Sequence, residues 1–310
     1  MFNDINLVAG AGISGAVIAR KIADTLDEKV LVIDKKDHIA GNCFDYKDKN
    51  GITLHRYGSH IFHTNNEDVW TFLNKFCTFN TYMHRVYAVI DGNISTIPFN
   101  FNTLYDIFPK SLAQNLEFKL LQTFEYNSKV PILEFKKTND KDLNFLADYI
   151  YKKVFLNYTL KQWGASPNEI DSAVTARVPV LISKDSRYFQ DKYQGIPKDG
   201  YSKLIENILN HPNIEVKLKT DFKDIRNYDF KRIFYTGSVD EFFDCKFGML
   251  SYRSVSFKFE EYDMPYYQEN SVINYPDNYD FTRIHEYKYY LNENSKKTVI
   301  AKEFSQEFVP

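Results

Sequence analysis

Cysteine pairs, long apolar runs and an excess of one charge are all missing from this sequence of 310 residues. Its three cysteines, Cys43, Cys77 and Cys245, form no CxxC motif. Their spacing argues against a disulfide framework and against a zinc site, and it favours a reducing compartment. Of the seven histidines, none has a cysteine or carboxylate at ligand spacing, so no metal site is predicted.

Neither a membrane span nor a polyanionic partner is indicated. No apolar run approaches the ~18 residues that a transmembrane helix needs. The first residues, Met1 to Asp4, lack the basic start and the cleavage site of a signal peptide, so a cytoplasmic location is expected. Lys plus Arg total 39 against 41 Asp plus Glu, a net charge of -2. That balance disfavours general binding to nucleic acid, and any anion site is expected to be a local cluster.

Aromatic residues are abundant. They make up 16% of the chain, with 23 Tyr and 26 Phe, in a composition that is 44% hydrophobic and 26% charged. Such a chain is globular and long enough for two or three domains. Most of the rings are expected in the core, and some in stacking surfaces.

The first 35 residues predict a βαβ unit with parallel strands. Residues 5–9 form a short apolar run, residues 16–26 have helical spacing of apolar residues, and residues 30–33 form a second buried strand that ends at Asp34.

Further elements follow from caps, turns and periodicity. We expect a helix capped by Asn65–Asp68, a hairpin around Asp91-Gly92, helices over 101–160 with Pro109 ending the first and Ser111 capping the next, a helix at 201–209, strands at 214–218 and 232–235, and an aromatic-rich antiparallel sheet over 252–302. The order predicts an α/β protein with a discontinuous first domain.

The turn after the first strand carries Gly10-x-Gly12-x-x-Gly15, with Asp34 at the end of the next strand. Gly10 allows the tight turn, Gly12 lets a pyrophosphate approach the backbone, and Gly15 lets the helix pack on the strand. The helix N-terminus favours phosphate, and Asp34 can accept a hydrogen bond from a ribose diol. This context predicts a dinucleotide site, and FAD and NAD use the same opening.

Two later segments bear on that choice. Gly41 and Asn42 lie in a second small-residue turn that could run alongside the pyrophosphate of a flavin. His60 and His63 lie in the run 57–64. Either histidine could act as a general base, or both could be buried and hydrogen-bonded to the backbone.

In these segments and in others along the chain, the sequence resembles the UDP-galactopyranose mutases, flavoenzymes that interconvert the pyranose and furanose forms of a UDP-sugar. The resemblance rests on motifs in order along the whole chain: the glycine turn with Asp34, Ala40–Asn42, Tyr57–Thr64, Ile97–Asn100, Tyr158–Gly164, Arg177–Val180, Tyr193–Pro197, Tyr235–Gly237, Tyr252–Ser254 and Thr282–Ile284.

The resemblance implies a mechanism. In this family N5 of reduced FAD attacks the anomeric carbon, UDP leaves, and the sugar recloses as the other ring form without net redox change. The cofactor does the covalent chemistry, and the protein holds the phosphates, uracil and sugar around it.

The resemblance also implies residue roles. Arg177 and Arg283 match a pair of arginines that clamp the diphosphate, and His63 matches a histidine beside the flavin. The other expected contacts divide between cofactor and substrate. Expected at FAD are Gly10, Gly12, Gly15, Asp34, Gly41, Asn42 and His60. Expected at the UDP-sugar are Tyr158, Gln162, Trp163, Tyr188, Asn274 and His84, besides the two arginines.

The implied domains are three. They are a Rossmann-type FAD-binding domain (1–80 and 195–240), a helical insertion (101–173), and an antiparallel sheet and substrate domain (81–100, 174–194 and 241–310). A homodimer is compatible with this organisation.

Some positions depart from the family pattern. His84 stands where asparagine is expected, and with Ser59 it could alter the accepted sugar. After Lys302–Phe304 the family continues into a segment that grips FAD and the diphosphate, and the sequence predicts that this part of the pocket is missing. A truncated product, a natural short homologue and a completing partner are three competing explanations.

Three functions stay open at this point. The first is flavin-dependent isomerisation of a UDP-hexose, with UDP-galactose expected, for a cell-surface polysaccharide. The second is a non-catalytic homologue that binds a UDP-sugar or nucleotide. The third is an FAD oxidoreductase resembling amine oxidases, which leaves Arg177, Arg283 and the 158–164 block without a role.

Overall fold

The computed structural model describes residues 3–165, 169 and 179–308, and the chain divides into two compact units. Unit 1 comprises the described residues of 1–82 and 191–251. Unit 2 comprises those of 83–190 and 252–310. Each unit is therefore built from two separate stretches of chain.

Unit 1 is organised around a parallel four-stranded sheet. Its strand order is β12-β2-β1-β13, and the strands are β1 (Ile5–Ala9), β2 (Lys29–Asp34), β12 (Ile214–Leu218) and β13 (Arg232–Tyr235). Helix α1 (Ile13–Leu26) packs on this sheet and on the helix Tyr201–Leu209. Small residues on the buried face of α1 allow the close approach, and these are Gly15, Ala16, Ala19 and Ala23. The predicted βαβ opening is confirmed.

Smaller elements complete unit 1. They are the pair β3 (Asp45–Lys47) and β4 (Thr53–His55), the sheet of β5 (Phe62–Thr64), β11 (Tyr193–Pro197) and β6 (Phe79–Asn80), the 3₁₀ turn Gly41–Cys43, helix α2 (Glu67–Leu73), and the short helices Phe222–Ile225 and Val239–Phe242. The side chain of Asn66 caps α2 by accepting from the N–H groups of Asp68 and Val69. The expected cap is present because a short polar side chain can satisfy the free N–H groups of a helix start.

Unit 2 contains a six-stranded sheet of order β14-β17-β16-β15-β7-β8. Its strands are β7 (Val86–Ile90), β8 (Asn93–Ile97), β14 (Arg253–Tyr262), β15 (Val272–Asn274), β16 (Arg283–Glu286) and β17 (Thr298–Glu307). The hairpin turn has Asp91 at φ 49° and Gly92 at φ 82°, the conformation that Asp-Gly favours. The sheet is antiparallel except where β15 runs parallel to β7, a departure from the fully antiparallel expectation.

Most helices of unit 2 lie between β8 and β14 in the chain. They are α3 (Phe101–Ile107), α4 (Lys110–Thr123), α5 (Ile132–Phe135), α6 (Lys141–Ile150) and α7 (Asn157–Trp163), with the short helix Lys288–Leu291 later and the strand pair β9 (Lys129–Val130) and β10 (Val180–Leu181). The expectation that Ser111 caps α4 is wrong, because Pro109 occupies the N-cap and no side chain caps that helix.

No break in the helical backbone separates α6 from α7. A π-helical segment, Tyr151–Leu156, joins them into one helical run from Lys141 to Trp163. Such a segment re-aims the side chains that follow it. It therefore sets the direction of Tyr158, Gln162 and Trp163. Across the described ranges, no helix is both long and apolar enough to cross a membrane.

Candidate functional site

The glycine turn of unit 1 lies between β1 and α1, and its glycines are sterically required. Gly10 has φ +117°, and a Cβ there would lie 2.0 Å from Oγ1 of Thr236. A Cβ on Gly15 would lie 1.8 Å from the carbonyl oxygen of Gly10. Both positions therefore exclude any larger residue without a backbone shift.

Gly12 serves a different purpose. It is the N-cap of α1, has no side chain to cap the helix, and a Cβ there would meet only ordinary contacts, the nearest 3.7 Å away at Gly41 Cα. Gly41 has φ +56° and packs against Gly12, while the N–H of Ala40 donates to the carbonyl of Ala11 at 2.9 Å. Two small turns thus meet at an uncapped helix start, which is an arrangement suited to phosphate.

The carboxylate of Asp34 is hydrogen-bonded to the backbone of the same turn. Its Oδ2 accepts from the Ala11 N–H at 2.8 Å and its Oδ1 accepts from the Lys36 N–H at 2.9 Å. Nζ of Lys36 donates to Oδ1 of Asn42 at 3.4 Å and lies 4.3 Å from the ring centre of Tyr57. A carboxylate has about four acceptor sites, so Asp34 keeps capacity for a ribose hydroxyl.

The two predicted histidines of unit 1 have different surroundings. His60 Nδ1 lies 2.9 Å from the Gly58 carbonyl, and burial lowers the pKa of His60. His63, on β5, is partly exposed and has Nδ1 2.8 Å from Oδ2 of Asp191. The other oxygen of that carboxylate, Oδ1, accepts from Nδ2 of Asn65 at 2.6 Å. His60 therefore has the backbone partner of a structural histidine, and His63 has the carboxylate partner that orients an imidazole.

Unit 2 holds a cavity of about 80 Å³ beside α7. It is lined by Ala88, Ile97, Val154, Phe155, Tyr158, Thr159, Trp163, Tyr188, Asn274 and Pro276. Four of the predicted substrate residues therefore share one cavity: Tyr158, Trp163, Tyr188 and Asn274. The lining combines apolar and aromatic side chains with one amide, as small-molecule sites commonly do.

Arg283 lies beside Tyr158 and is held from behind by Glu303. Its Nη2 donates to the Tyr158 hydroxyl oxygen, and its Nε lies 3.0 Å from Glu303 Oε1 as an ion pair. That Nε lacks the alignment of a hydrogen bond. The guanidinium thus retains donor capacity for a further anion.

Glu303 is a functional candidate that is not predicted from the sequence. It is 6% exposed and accepts from Oγ1 of Thr282 at 2.8 Å, and Nε2 of His285 lies 3.1 Å from Oε2. Burial opposes its ionisation, but the charge of Arg283 and these contacts lower the pKa of Glu303 to about 2. Its partner Arg283 sits opposite it in the β16–β17 register, a pairing between distant segments that a local sequence pattern does not show.

Charge states follow from the same packing. Burial raises the pKa of Tyr158 to about 12, with Arg283 opposing and Glu303 adding to the shift. Burial works against the charge of Arg283, but its surroundings, Tyr158 and Glu303 foremost, raise its pKa above the ordinary value. Near neutral pH the site therefore presents a cationic Arg283, an anionic Glu303 and a neutral Tyr158 hydroxyl.

Two buried acceptors near α7 have no partner in the described structure. Asn274 is 6% exposed and its Oδ1 accepts no hydrogen bond, and Oε1 of Gln162 is likewise unpaired. The main-chain carbonyl of Gln162 accepts from Oγ of Ser305 at 2.7 Å. Unpaired buried acceptors are costly, so these two suit a ligand that donates.

His84 and Arg177 complete the predicted set. His84 is 4% exposed, its ring centre lies 5.8 Å from that of Tyr188, and its carbonyl accepts from the Tyr188 N–H at 2.8 Å. It therefore supports Tyr188 without lining the cavity itself. Arg177 lies outside the described residues. Among those residues, no group of three or more metal-ligating side chains occurs.

Comparison with known proteins places these features in a family. The family model of UDP-galactopyranose mutase matches residues 153–310, and an NAD(P)-binding Rossmann-like domain matches residues 8–76. The chain is 41% identical to a dTDP-fucopyranose mutase of Escherichia coli over 97% of its own length and 81% of that protein's. It is 36% identical to a probable UDP-galactopyranose mutase of Klebsiella pneumoniae over 99% of its length and 79% of that protein's.

Solved structures agree on the fold. The crystal structure of a reduced UDP-galactopyranose mutase matches with a TM-score of 0.64 at 14% identity, over 99% of this chain and 74% of that one. A putative protoporphyrinogen oxidase from Exiguobacterium matches with the same TM-score at 12% identity, over 99% of this chain and 78% of that one. The predicted mixed α/β fold with a Rossmann-type domain is thus confirmed, and the chain belongs to the UDP-galactopyranose mutase family.

Proposed function

We propose that this protein is a flavin-dependent isomerase that interconverts the pyranose and furanose forms of a nucleoside-diphosphate hexose, with UDP-galactose as the first candidate substrate. The observation that carries the proposal is Arg283, a cation held between Tyr158 and the buried Glu303, in the unit whose cavity is lined by two tyrosines, Trp163 and Asn274. A nucleoside-diphosphate sugar would supply a diphosphate anion for Arg283 and a nucleobase for the aromatic rings.

The cofactor would bind in unit 1. The uncapped helix start at Gly12, the packed turn at Gly41 and the fixed carboxylate of Asp34 fit the pyrophosphate and ribose of FAD. Asn42, His60 and His63 are the further residues proposed for this site. Reduced FAD, when bound, would supply the nucleophile for the anomeric carbon.

In unit 2 the chain's own groups would hold the diphosphate. Arg283 would stabilise the negative charge that develops as the diphosphate leaves the sugar, and Glu303 would keep the guanidinium in place. The Tyr158 oxygen accepts from Arg283, so its own O–H proton stays available to donate to a phosphate oxygen. Arg177 is proposed as the second arginine of this clamp.

The nucleobase would bind against the rings of Tyr158 and Trp163. Trp163 is 39% exposed, so part of its ring is free to stack on a base. A pyrimidine imide donates one N–H, and the unpaired oxygens of Asn274 and Gln162 are acceptors of that kind. Tyr188, backed by His84, would close the side of the pocket.

The decisive experiment measures isomerisation itself. Purified protein is expected to carry FAD by its absorption spectrum and, after dithionite reduction, to convert UDP-galactofuranose to UDP-galactopyranose in a chromatographic assay. The oxidised protein should convert little, because the nucleophile is the reduced flavin. Colourless protein that binds UDP would support a non-catalytic homologue instead. Bleaching of the flavin by substrate alone would support an oxidoreductase.

A dTDP-sugar is the second candidate substrate, favoured by the 41% identity to a protein named dTDP-fucopyranose mutase. The cavity has apolar walls at Ala88, Ile97 and Val154, which suit the methyl group of thymine as well as the bare edge of uracil. Competition between UDP and dTDP for the reduced protein will discriminate. If the thymine methyl group is buried in this cavity, we expect dTDP to bind about fourfold more tightly than UDP, the value of one buried methyl group. UDP and dTDP differ in the 2′-hydroxyl as well as in the methyl group, so a 2′-deoxy-UDP control separates the two contributions. Equal affinities for 2′-deoxy-UDP and dTDP would leave the methyl group without a role in substrate choice.

A further inference from the structure

The ammonium group of Lys161 lies inside the loop that joins β15 to β16. Its Nζ donates to the main-chain carbonyls of Asp277 at 2.9 Å and Phe281 at 3.1 Å, and also to the carbonyl of Tyr275. An ammonium has three N–H donors. All three are therefore used on the backbone of one loop, residues 275–282.

That loop connects two residues of the candidate site. Asn274 ends β15, Arg283 begins β16, and the two are partners in the antiparallel register. Lys161 follows Tyr158 by three residues on α7, so both side chains emerge from the same face of the helix. Tyr158 contacts Arg283 directly. The helix is thus joined to the hairpin at two points, one on the strand and one in the loop.

Besides Lys161, the loop is held by aromatic contacts: the ring of Tyr279 lies 4.9 Å from that of Tyr275 and 5.4 Å from that of Phe281. Residues 277–280 are exposed and form no helix or strand, and backbone of that kind opens readily. The charged amine of Lys161 donates hydrogen bonds to three carbonyls of the loop and so holds its backbone in one conformation. Such charge-assisted hydrogen bonds are about twice as strong as neutral ones.

We propose that Lys161 is a positioning residue for nucleoside-diphosphate binding, which fixes the β15–β16 loop so that Asn274 and Arg283 face Tyr158. The proposal rests on the function proposed above and adds a residue to it. Lys161 acts through the loop and needs no contact with the ligand.

The charge of this amine is sensitive to pH. Burial lowers the pKa of Lys161 to about 8, although Asp277 and Asp280 in the loop favour the charged form. Arg253 on β14 donates to the Lys161 carbonyl at 3.4 Å, and Lys153 lies near Asp277. Tyr275 has its pKa raised to about 12 by burial. The charged amine is present below about pH 8 and lost above it, so affinity is expected to fall as the pH rises.

The test compares UDP and dTDP binding by calorimetry at about pH 7 and about pH 9, one unit either side of that pKa. Wild-type protein should bind the preferred nucleotide several-fold more weakly at the higher pH. Lys161→Met should bind about tenfold more weakly at the lower pH and should lose the pH dependence. Lys152→Met removes an exposed lysine from the adjoining helical segment and should match the wild type at both pH values.

The outcomes are separable. Wild-type affinity in Lys161→Met, or a wild-type pH dependence in that variant, overturns the role of Lys161. Failure of the wild-type protein to bind either nucleotide overturns the proposed function, and this inference with it. Where Lys161→Met does not fold, Lys161→Arg keeps a charge at both pH values. Affinity independent of pH in Lys161→Arg supports the proposal, and a wild-type pH dependence there overturns it.

Discussion

Replacing Arg283 with alanine is expected to abolish isomerisation and to weaken nucleoside-diphosphate binding while leaving the flavin in unit 1 bound. Loss of one preorganised donor to a developing anion typically costs about 10²–10³ in kcat, and here the lost group also carries the charge that is proposed to bind the diphosphate. Measured by single-turnover kinetics and calorimetry, kcat should fall at least about a thousandfold and the Kd for UDP or dTDP should rise by about 10–100-fold.

Stability must be separated from chemistry in that experiment. Arg283→Ala leaves the buried Glu303 without its ionic partner, and breaking such a pair costs about 3–5 kcal/mol. Arg283→Lys is the informative companion, because it keeps the charge but loses the fork that reaches Tyr158 and Glu303 together. We expect it to unfold close to the wild-type temperature and to remain severely impaired in kcat.

A surface arginine provides the matched control. Arg226 pairs with Asp244 at 2.8 Å in an exposed part of unit 1, and Arg226→Ala should change stability by less than about 1 kcal/mol and leave binding unaltered. Full nucleotide affinity in a folded Arg283→Ala protein would remove Arg283 from the diphosphate site.

Gly12→Ala is expected to remove FAD from a protein that still folds normally. An added methyl group at Gly12 meets only ordinary contacts in the chain itself, the nearest 3.7 Å away, so the unfolding temperature without flavin should hardly change. A pyrophosphate has to approach the backbone at this glycine. The variant should therefore bind FAD at least about 100-fold more weakly, by fluorescence titration, as expected for losing two hydrogen bonds to a charged group.

Two other glycine variants serve as comparisons for Gly12→Ala. Gly15→Ala brings a Cβ to 1.8 Å from the Gly10 carbonyl oxygen, so it should lower stability as well as FAD affinity. Gly51→Ala lies in open space at φ +77° and should cost about 1 kcal/mol in stability while keeping FAD affinity. If Gly12→Ala bound FAD as the wild type does, the dinucleotide would have to bind elsewhere.

Local chemistry explains which elements could be predicted from the sequence. The βαβ opening follows from two apolar runs around a glycine turn. The hairpin at Asp91-Gly92 follows from two residues that tolerate positive φ. The helix Tyr201–Leu209 coincides with its predicted range, because its apolar spacing is regular and the sequence His211-Pro212 follows it.

The missed features depend on contacts between distant segments. The parallel pairing of β15 with β7 brings together residues nearly 190 positions apart, and no local pattern specifies it. The π-helical segment Tyr151–Leu156 leaves no mark in apolar periodicity. Glu303 and Lys161 were visible only as members of family motifs. The partner of Glu303 is Arg283, which the β16–β17 register places opposite it. The partners of Lys161 are the loop carbonyls, whose positions depend on the path of the β15–β16 loop.

Some residues of the candidate site could be predicted from their spacing alone, and others only from the family resemblance. The glycines and Asp34 could be identified from their spacing along the chain. Gly10 and Gly15 leave no room for a Cβ, whereas Gly12 has the room but no side chain to cover the helix start. Tyr158, Trp163, Tyr188 and Asn274 could be grouped only through the family resemblance, and the cavity places them together. The roles of all these residues in binding stay predictions.

The division of each unit into two stretches of chain has a consequence for biosynthesis. The parallel sheet of unit 1 has β12 at one edge and β13 at the other, so it cannot be completed until residue 235 has left the ribosome. In the sheet of unit 2, β17 lies between β14 and β16 and follows both of them in the chain, so that sheet cannot be completed before β17 is synthesised. The nascent chain therefore leaves one edge of β1 unpaired until β13 is made, and one edge of β7 unpaired until β15 is made. During that period chaperone capture competes with aggregation.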